Sequence, residues 1–243
     1  MLGNSPTIAE LGQMSTQELK KELLALTDGR DSDPLSQKVQ FYRRTIEPFF
    51  TELARRNPFP DPDAQVPLVV GIWSPVWSTI PFQDTLPGRI RDQSYQIFHD
   101  NGYYANIARY APGSRFSLVK KLSAILFAYD LMIVQKFEVK QGQWLIQNVG
   151  IEQALRLRGI PLEVGKAERW FTKVVQSKRP SPQEIQTPEL ENLDQRTGKK
   201  FKQIFLATPQ LEHLYIDPDF RLVKTQREAK QRPSYTIAVR KTS

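Results

Sequence analysis

The chain contains no cysteine, so disulfides, thiolate metal sites and cysteine nucleophiles are all excluded. Histidine is nearly as scarce, with only His99 and His213. Without thiolates beside them, a zinc site would need carboxylates to complete it. The simpler reading makes both histidines polar groups at strand ends. No stretch is apolar for long enough to cross a bilayer. The richest, Leu122 to Val139, is interrupted by Asp130, Gln135, Lys136 and Glu138. Met1 to Leu11 lacks the apolar centre of a signal peptide, and Glu10, Glu18 and Glu22 do not suit a transit peptide. We therefore expect a soluble or peripheral protein with no leader in this sequence. A Gly-x-Ser-x-Gly elbow, a Walker loop and a Gly-x-Gly-x-x-Gly turn are also missing. Asp217 and Asp219 flank Pro218 and invite comparison with a carboxylate pair, but Asp-Pro-Asp between two strands is more simply a turn. Nothing assembles a nucleophile, a base and an oxyanion donor, so we expect no enzyme, no cofactor and no metal.

What is present is apolar and basic. Of the 243 residues, 40% are hydrophobic and 10% aromatic, enough to bury a core and too much for a disordered chain. The net charge of +8 favours anionic partners such as lipid headgroups or nucleic acid.

Along the chain, the first part reads as helix. Ser15 and Glu18 form a capping-box pair, with Leu19, Leu23 and Leu26 following at helical spacing and Gly29 as a stop. A second helix is expected from about Leu35 to Arg55, kinked or split by Pro48. Asn57-Pro58-Phe59-Pro60-Asp61-Pro62 then reads as an extended linker that neither helix nor strand crosses. After Pro67 the composition turns to β-branched and aromatic residues. Strands are expected at Leu68–Thr79, Gln93–Phe98, Tyr103–Tyr110, Phe116–Leu118, Ile125–Val139 and Gln143–Val149. Asn101-Gly102 marks a tight hairpin. A helix carrying Ala167, Trp170, Phe171, Val174 and Val175 on one face interrupts the series, and Lys178–Gly198 reads as a loop. Strands resume at Phe201–Ala207, Leu211–Asp217, Phe220–Thr225 and Tyr235–Val239. Many short strands separated by turns indicate a barrel or sandwich. The division we expect is a helical segment over 1–60 and an antiparallel barrel over 66–243, with a helical or loop insert at about 151–198.

Three stretches resemble the plastid-lipid-associated protein family, also called plastoglobule fibrillins. They are Glu52-Leu53-Ala54-Arg55-Arg56-Asn57-Pro58-Phe59-Pro60, Val70-Gly71-Ile72-Trp73-Ser74-Pro75-Val76-Trp77-Ser78-Thr79, and Leu214-Tyr215-Ile216-Asp217-Pro218-Asp219-Phe220-Arg221-Leu222. Leu86-Pro87-Gly88 and Gln93 to Ile97 continue the second stretch in a family-like way. Trp77 and Phe220 depart from the family's usual Tyr and Leu, and the insert is longer than usual. The resemblance implies a mainly β, lipocalin-like barrel with added helices and no catalysis. It also implies a place on the cytoplasmic side of thylakoids, or on plastoglobules in the plastid stroma. The implied ligand is a carotenoid, quinone, other prenyl lipid or acyl lipid.

A barrel of about eight strands has room for one small ligand. Gly71 allows a close approach to the first strand, and Trp73 is expected to plug one end with Arg221 stacked over its indole. Trp73, Tyr95, Ile97, Tyr104, Ile107 and Arg221 are the expected interior, ligand-facing residues, in a lumen expected to be largely apolar. From Arg196 onward the chain has eleven cations against four acids, so nearly all of the net charge lies in the last fifth. Lys224, Arg227, Lys230 and Arg232 are therefore candidates for contact with an anionic membrane, with an ordinary solvated face as the alternative. Nucleic acid is a weaker partner, since no recognition motif accompanies the charge. The leading function is an apolar-lipid carrier or lipid-surface protein. The alternative is a scaffold for a prenyl-lipid enzyme or photosystem assembly partner, docking through the face of Trp170 and Phe171.

Overall fold

In the computed structural model, which describes residues 8–81, 88–111, 127–177, 210–226 and 231–242, short helices lead into a closed antiparallel β-barrel. The helices are α1 (Ile8–Gln13), α2 (Thr16–Thr27), α3 (Leu35–Phe41), α4 (Glu47–Arg55) and α5 (Pro62–Val69). The strands are β1 (Gly71–Ser78), β2 (Arg89–Phe98), β3 (Tyr103–Tyr110), β4 (Phe127–Lys140), β5 (Gln143–Leu157), β6 (Gln210–Ile216), β7 (Phe220–Gln226) and β8 (Ser234–Lys241). Helix α6 (Val164–Ser177) lies between β5 and β6. Each strand pairs with the next, and β8 returns to β1. The expected strands at Phe116–Leu118 and Phe201–Ala207 and the loop at Lys178–Gly198 fall outside the described residues.

Local chemistry accounts for most boundaries. Ser15 and Glu18 exchange both bonds of a capping box, and Gly29 adopts φ +68° just beyond α2. Asn101-Gly102 makes the β2–β3 turn with φ +81° at Gly102, and Gln141-Gly142 turns β4 into β5 with φ of +52° and +70°. Pro48 does not break its helix sharply. It sits in the first turn of α4, where it offers no N–H to the carbonyl four residues back, and the chain absorbs this through a π turn at Tyr42–Ile46.

Two expectations need correction here. Asn57 to Pro62 does not remain a simple extended linker into β1. Asp61 accepts from Asp63 N at 3.1 Å, Pro62 takes the first helical position, and α5 runs through Pro67 to Val69. An Asx N-cap followed by proline is a helix start, and the prolines masked it. Residues Leu68 and Val69 are accordingly helical, and β1 begins at Gly71. Likewise β5 does not stop at Val149: a register shift opposite Val134/Gln135 carries it on to Leu157.

Both faces of the sheet are covered. Buried Leu19, Leu23, Ile46, Phe49, Phe50 and Leu53 of the N-terminal helices pack on Trp77, Tyr215, Phe220, Leu222 and Ile237, the outward residues near β6–β8. Helix α6 packs Ala167 and Phe171 on Ile72, Ile97, Ala105, Met132 and Val134 of β1–β4. A buried ion cluster joins coat to barrel. Asp31, in a 3₁₀ turn before α3, accepts from the guanidinium of Arg89, from Arg91 Nε at 3.1 Å and from Ser78 N at 3.0 Å, with Lys38 Nζ at 3.6 Å. Removing its carboxylate would leave buried cations facing one another. Asp31→Ala is therefore expected to cost about 3–5 kcal/mol, read as a lower midpoint in urea, whereas a loss under 1 kcal/mol would mean the cluster is not holding the helices down.

Candidate functional site

The barrel interior has a packed end and a hollow end. Where β1 begins and β8 finishes, Trp73, Phe98, Tyr104, Phe137, Trp144, Ile146 and Ile216 form one buried cluster with Val69 of α5. Phe98 and Tyr104 stack at 4.4 Å, and Phe137 and Trp144 lie 5.6 Å apart. Helix α5 closes this end: Trp73 Nε1 donates to Val69 O at 2.8 Å and Trp144 Nε1 to Gln65 Oε1 at 2.9 Å. Asn57 of the linker accepts from Ile216 N at 3.3 Å, supplying a partner to β6 where its register shifts.

Two guanidinium groups lie over Trp73. Arg221 is 4.8 Å from the ring centre, as the sequence suggested, and also 4.7 Å from the Phe98 ring. Arg240, which the sequence reading missed, is closer at 4.2 Å. It reaches the carbonyls of Leu68, Val70 and Pro218 and so staples β8 to the start of β1. A β-carbon at Gly71 would lie 2.5 Å from Arg240 Nη1, and Gly71 has φ +119°, so this is the close approach that the glycine permits. The two arginines differ in compensation. Burial lowers both, but Asp219 and Asp217 oppose the effect at Arg240. Arg221 is 1% exposed, has no ion pair among the described residues, and is pulled down to about 9 chiefly by burial.

Arg221 begins a belt of side-chain amides. Its Nη2 donates to Gln96 Oε1, and Gln96 Nε2 donates to Asn106 Oδ1 at 2.8 Å. Asn106 Nδ2 donates in turn to Gln135 Oε1, and Gln135 Nε2 to Asn148 Oδ1 at 2.6 Å. The belt crosses β2, β3, β4 and β5 on their inward faces. It needs a donor at one end, because each amide uses its N–H on the next and the first oxygen awaits one; Arg221 supplies it. On its far side from the aromatic cluster lies a cavity of about 170 Å³. Arg221 and the belt line it together with Ala108, Leu131, Ile133, Ile151 and Val223, and Arg89 and Arg232 line it where the strands end. The lumen wall is largely apolar, as expected, with one polar belt across it.

The structure brings together Trp73, Tyr104 and Arg221 in the interior. Tyr95, Ile97 and Ile107 direct their side chains outward, although Tyr95 and Ile107 also border the cavity. They alternate with Gln96, Phe98 and Asn106 and pack beneath α6, where Tyr95 Oη donates to Leu162 O at 2.8 Å. Both faces of β2 and β3 are buried, so apolarity alone did not reveal which residues point inward. The face of α6 holding Trp170 and Phe171 packs on the barrel, with Phe171 fully buried and Trp170 partly so. His213 is not at a strand end. It sits mid-β6, fully buried, 4.8 Å from Trp144, with Nε2 3.4 Å from Arg221 Nη1. Asp217 forms a turn: Oδ1 accepts from Asp219 N and Phe220 N, and Lys20 Nζ pairs with Oδ2 at 2.6 Å.

Of the membrane-contact candidates, Lys224 is paired with Glu212 at 2.9 Å, Arg232 donates to Pro233 O and Thr79 O, and Arg227 and Lys230 lie outside the described residues. The sequence did not flag the C-terminal end of β5, at the open end of the β4–β5 hairpin. Leu155 and Leu157 are 66% and 52% exposed, alternate with Arg156 and Arg158, and are followed by Ile160 at 51%. Their strand face continues that of Ile151, so the apolar wall of the cavity extends past its mouth.

No protein-family model matches the chain, and no curated protein matches it.

Two outcomes follow from this geometry. Arg221→Ala empties the space between two rings and deprives Gln96 of its donor. Its loss is expected at about 2 kcal/mol, a drop of roughly 4–8 °C in Tm with altered tryptophan emission. Arg221→Met keeps the stem and removes the uncompensated charge, and should stay within about 1 kcal/mol of the parent. Equal losses in both variants would deny the packing account. The second concerns pH. Burial, and then Arg221, hold His213 well below the ordinary imidazole value. The unfolded chain takes up a proton near pH ~6.5 that the folded one refuses, so stability is full above that pH and declines as pH falls through it. His213→Gln should flatten the fall in Tm between about pH 6.5 and 5, leaving a residue from His99, which is lowered in the same direction.

Proposed function

We propose that this protein is a non-catalytic lipid binder that works at a membrane or lipid-droplet surface. The observation that carries the reading is the half-hollow barrel. One end is filled by aromatics, and the other holds a cavity of about 170 Å³ beside the exposed apolar end of β5. An apolar cavity of about 150 Å³ accommodates one benzene-sized molecule. The barrel therefore takes a ring or the terminal stretch of a chain, and the remainder of a long lipid lies along the Leu155/Leu157 wall. Whole-molecule enclosure of a carotenoid is disfavoured by that size. The resemblance to plastid-lipid-associated proteins supports a thylakoid or plastoglobule setting and a prenyl or acyl lipid as ligand. Among the described residues no helix is long and apolar enough to span a bilayer, and no group of three His, Asp or Glu is placed to hold a metal.

Surface contact follows from the same end of the barrel. Leu155, Leu157 and Ile160 supply the apolar contact, and Arg156, Arg158 and the net charge of +8 favour anionic lipid. The direct test is solvent extraction of the purified protein and mass spectrometry of what co-purifies; a protein that carries no lipid and binds none in titration would end the reading. On vesicles, binding should require anionic lipid and weaken as salt rises, because exposed charges are screened beyond about 10 Å at 0.1 M. Leu155→Ser with Leu157→Ser should reduce vesicle binding at least ~10-fold with an unchanged circular dichroism spectrum, since each buried leucine contributes about 1.5–3 kcal/mol. Binding to neutral vesicles that survives high salt and the double substitution would place the contact elsewhere.

A further inference from the structure

We propose that the barrel binds its ligand by an anionic head, a carboxylate, which pairs with Arg221 on the cavity floor while the tail points to the mouth. This deepens the lipid-binding reading and rests on it. Three observations carry it. Arg221 is 1% exposed, yet no carboxylate pairs with it among the described residues, whereas the other buried cations have one: Lys20 has Asp217, Lys38 and Arg89 share Asp31, and Arg109 has Asp130. A buried cation without a counter-ion is the costliest arrangement a lumen can hold, unless something arrives to neutralise it. Among the described residues its Nε is buried with no hydrogen-bond partner, and only Gln96 and His213 hydrogen-bond its Nη atoms. The fork therefore retains N–H groups in the geometry that a carboxylate takes bidentately. Finally, Arg221 lines the cavity, and the walls leading away from it are Leu131, Ile133, Ile151 and Val223, which suit an alkyl chain. His213 cannot serve as the counter-ion, being neutral or cationic in every protonation state.

A carboxylate on Arg221 would also act on the belt. The guanidinium already donates to Gln96, and a charged acceptor on its remaining N–H groups would hold the fork in the plane that keeps that bond. Filling the head site and ordering the belt are thus one event. A neutral ligand of the same length gains the wall contacts without this.

The test is isothermal calorimetry with decanoate, decanol and methyl decanoate, three ligands that share a chain and differ at the head. Decanoate should bind at least ~10-fold more tightly than either neutral ligand, the factor expected of a hydrogen bond to a charged group. In Arg221→Met that preference should vanish. Arg232→Met, which alters another arginine lining the cavity, should keep it. Should Arg221→Met fail to fold, the three-ligand comparison on the unmodified protein still decides. Equal binding of all three ligands, or a preference abolished by Arg232→Met and kept by Arg221→Met, overturns the proposal while leaving the protein a lipid binder. Failure of all three to bind overturns the lipid-binding reading itself.

Discussion

The stack of Arg240 on Trp73 is the constraint from which the rest of the barrel follows. A β-meander closes only if its last strand finds its first. Here that junction is fixed by one side chain that covers an indole and reaches carbonyls of α5, β1's approach and the β6–β7 turn. The arrangement requires a residue without a β-carbon at position 71, because a methyl there would occupy Arg240's place. It requires α5 to continue to Val69, since that carbonyl receives the indole N–H. Once Trp73 is held flat across the lumen, the aromatic side chains of β2, β3, β4 and β5 pack onto it, and this end of the barrel is solid. The hollow is left at the other end, beyond the first three residues of β1, where among the described residues its pairing with β2 stops.

The outside of the barrel poses a different problem. Apolar residues cover much of the outer wall, and a free-standing barrel would expose them. The N-terminal helices and α6 solve this as two separate coats on roughly opposite groups of strands. The first coat is more than hydrophobic, because Asp31 and Lys20 make buried or half-buried ion pairs with barrel residues. Non-directional burial would let the helices slide on the sheet, while a carboxylate among Arg89, Lys38 and the Ser78 amide fixes one register.

This double coverage explains what could and could not be read from the chain. Element type was legible, because β-branched runs, the Asn-Gly turn and the capping box are local signals. Face was not. Alternation reveals orientation only when one face is polar, and in β2 the inward residues are Ser94 and Gln96 while the outward ones are Tyr95 and Ile97. In this part of β2 and β3 polar residues point in, the reverse of the usual rule, so Tyr95, Ile97 and Ile107 read as lumen. The Trp73–Arg221 contact was legible because a glycine before an aromatic and a lone arginine in an apolar strand are both conspicuous. Arg240 was lost among the cations of the last fifth of the chain, where nothing local distinguishes a stapling arginine from a solvated one. Helix α5 was hidden by its prolines, which mark a helix start as readily as a linker.

The inverted polarity is also the strongest argument that the hollow end is a site and not a packing fault. Filling the lumen with leucine and isoleucine would give a barrel at least as stable, since buried hydrogen-bonded polar groups do little better than break even against well-packed apolar ones. Instead four amides and a guanidinium are strung across β2 to β5 and β7, each dependent on its neighbour. Local rules are broken in this way most often where a ligand has to be recognised. Such a belt cannot contribute through burial alone, because its members would each lose about 1–3 kcal/mol if left unpaired. On the proposed reading it is a surface presented to something polar, with the aromatic cluster holding it rigid from one side and the apolar walls guiding a chain to it from the other.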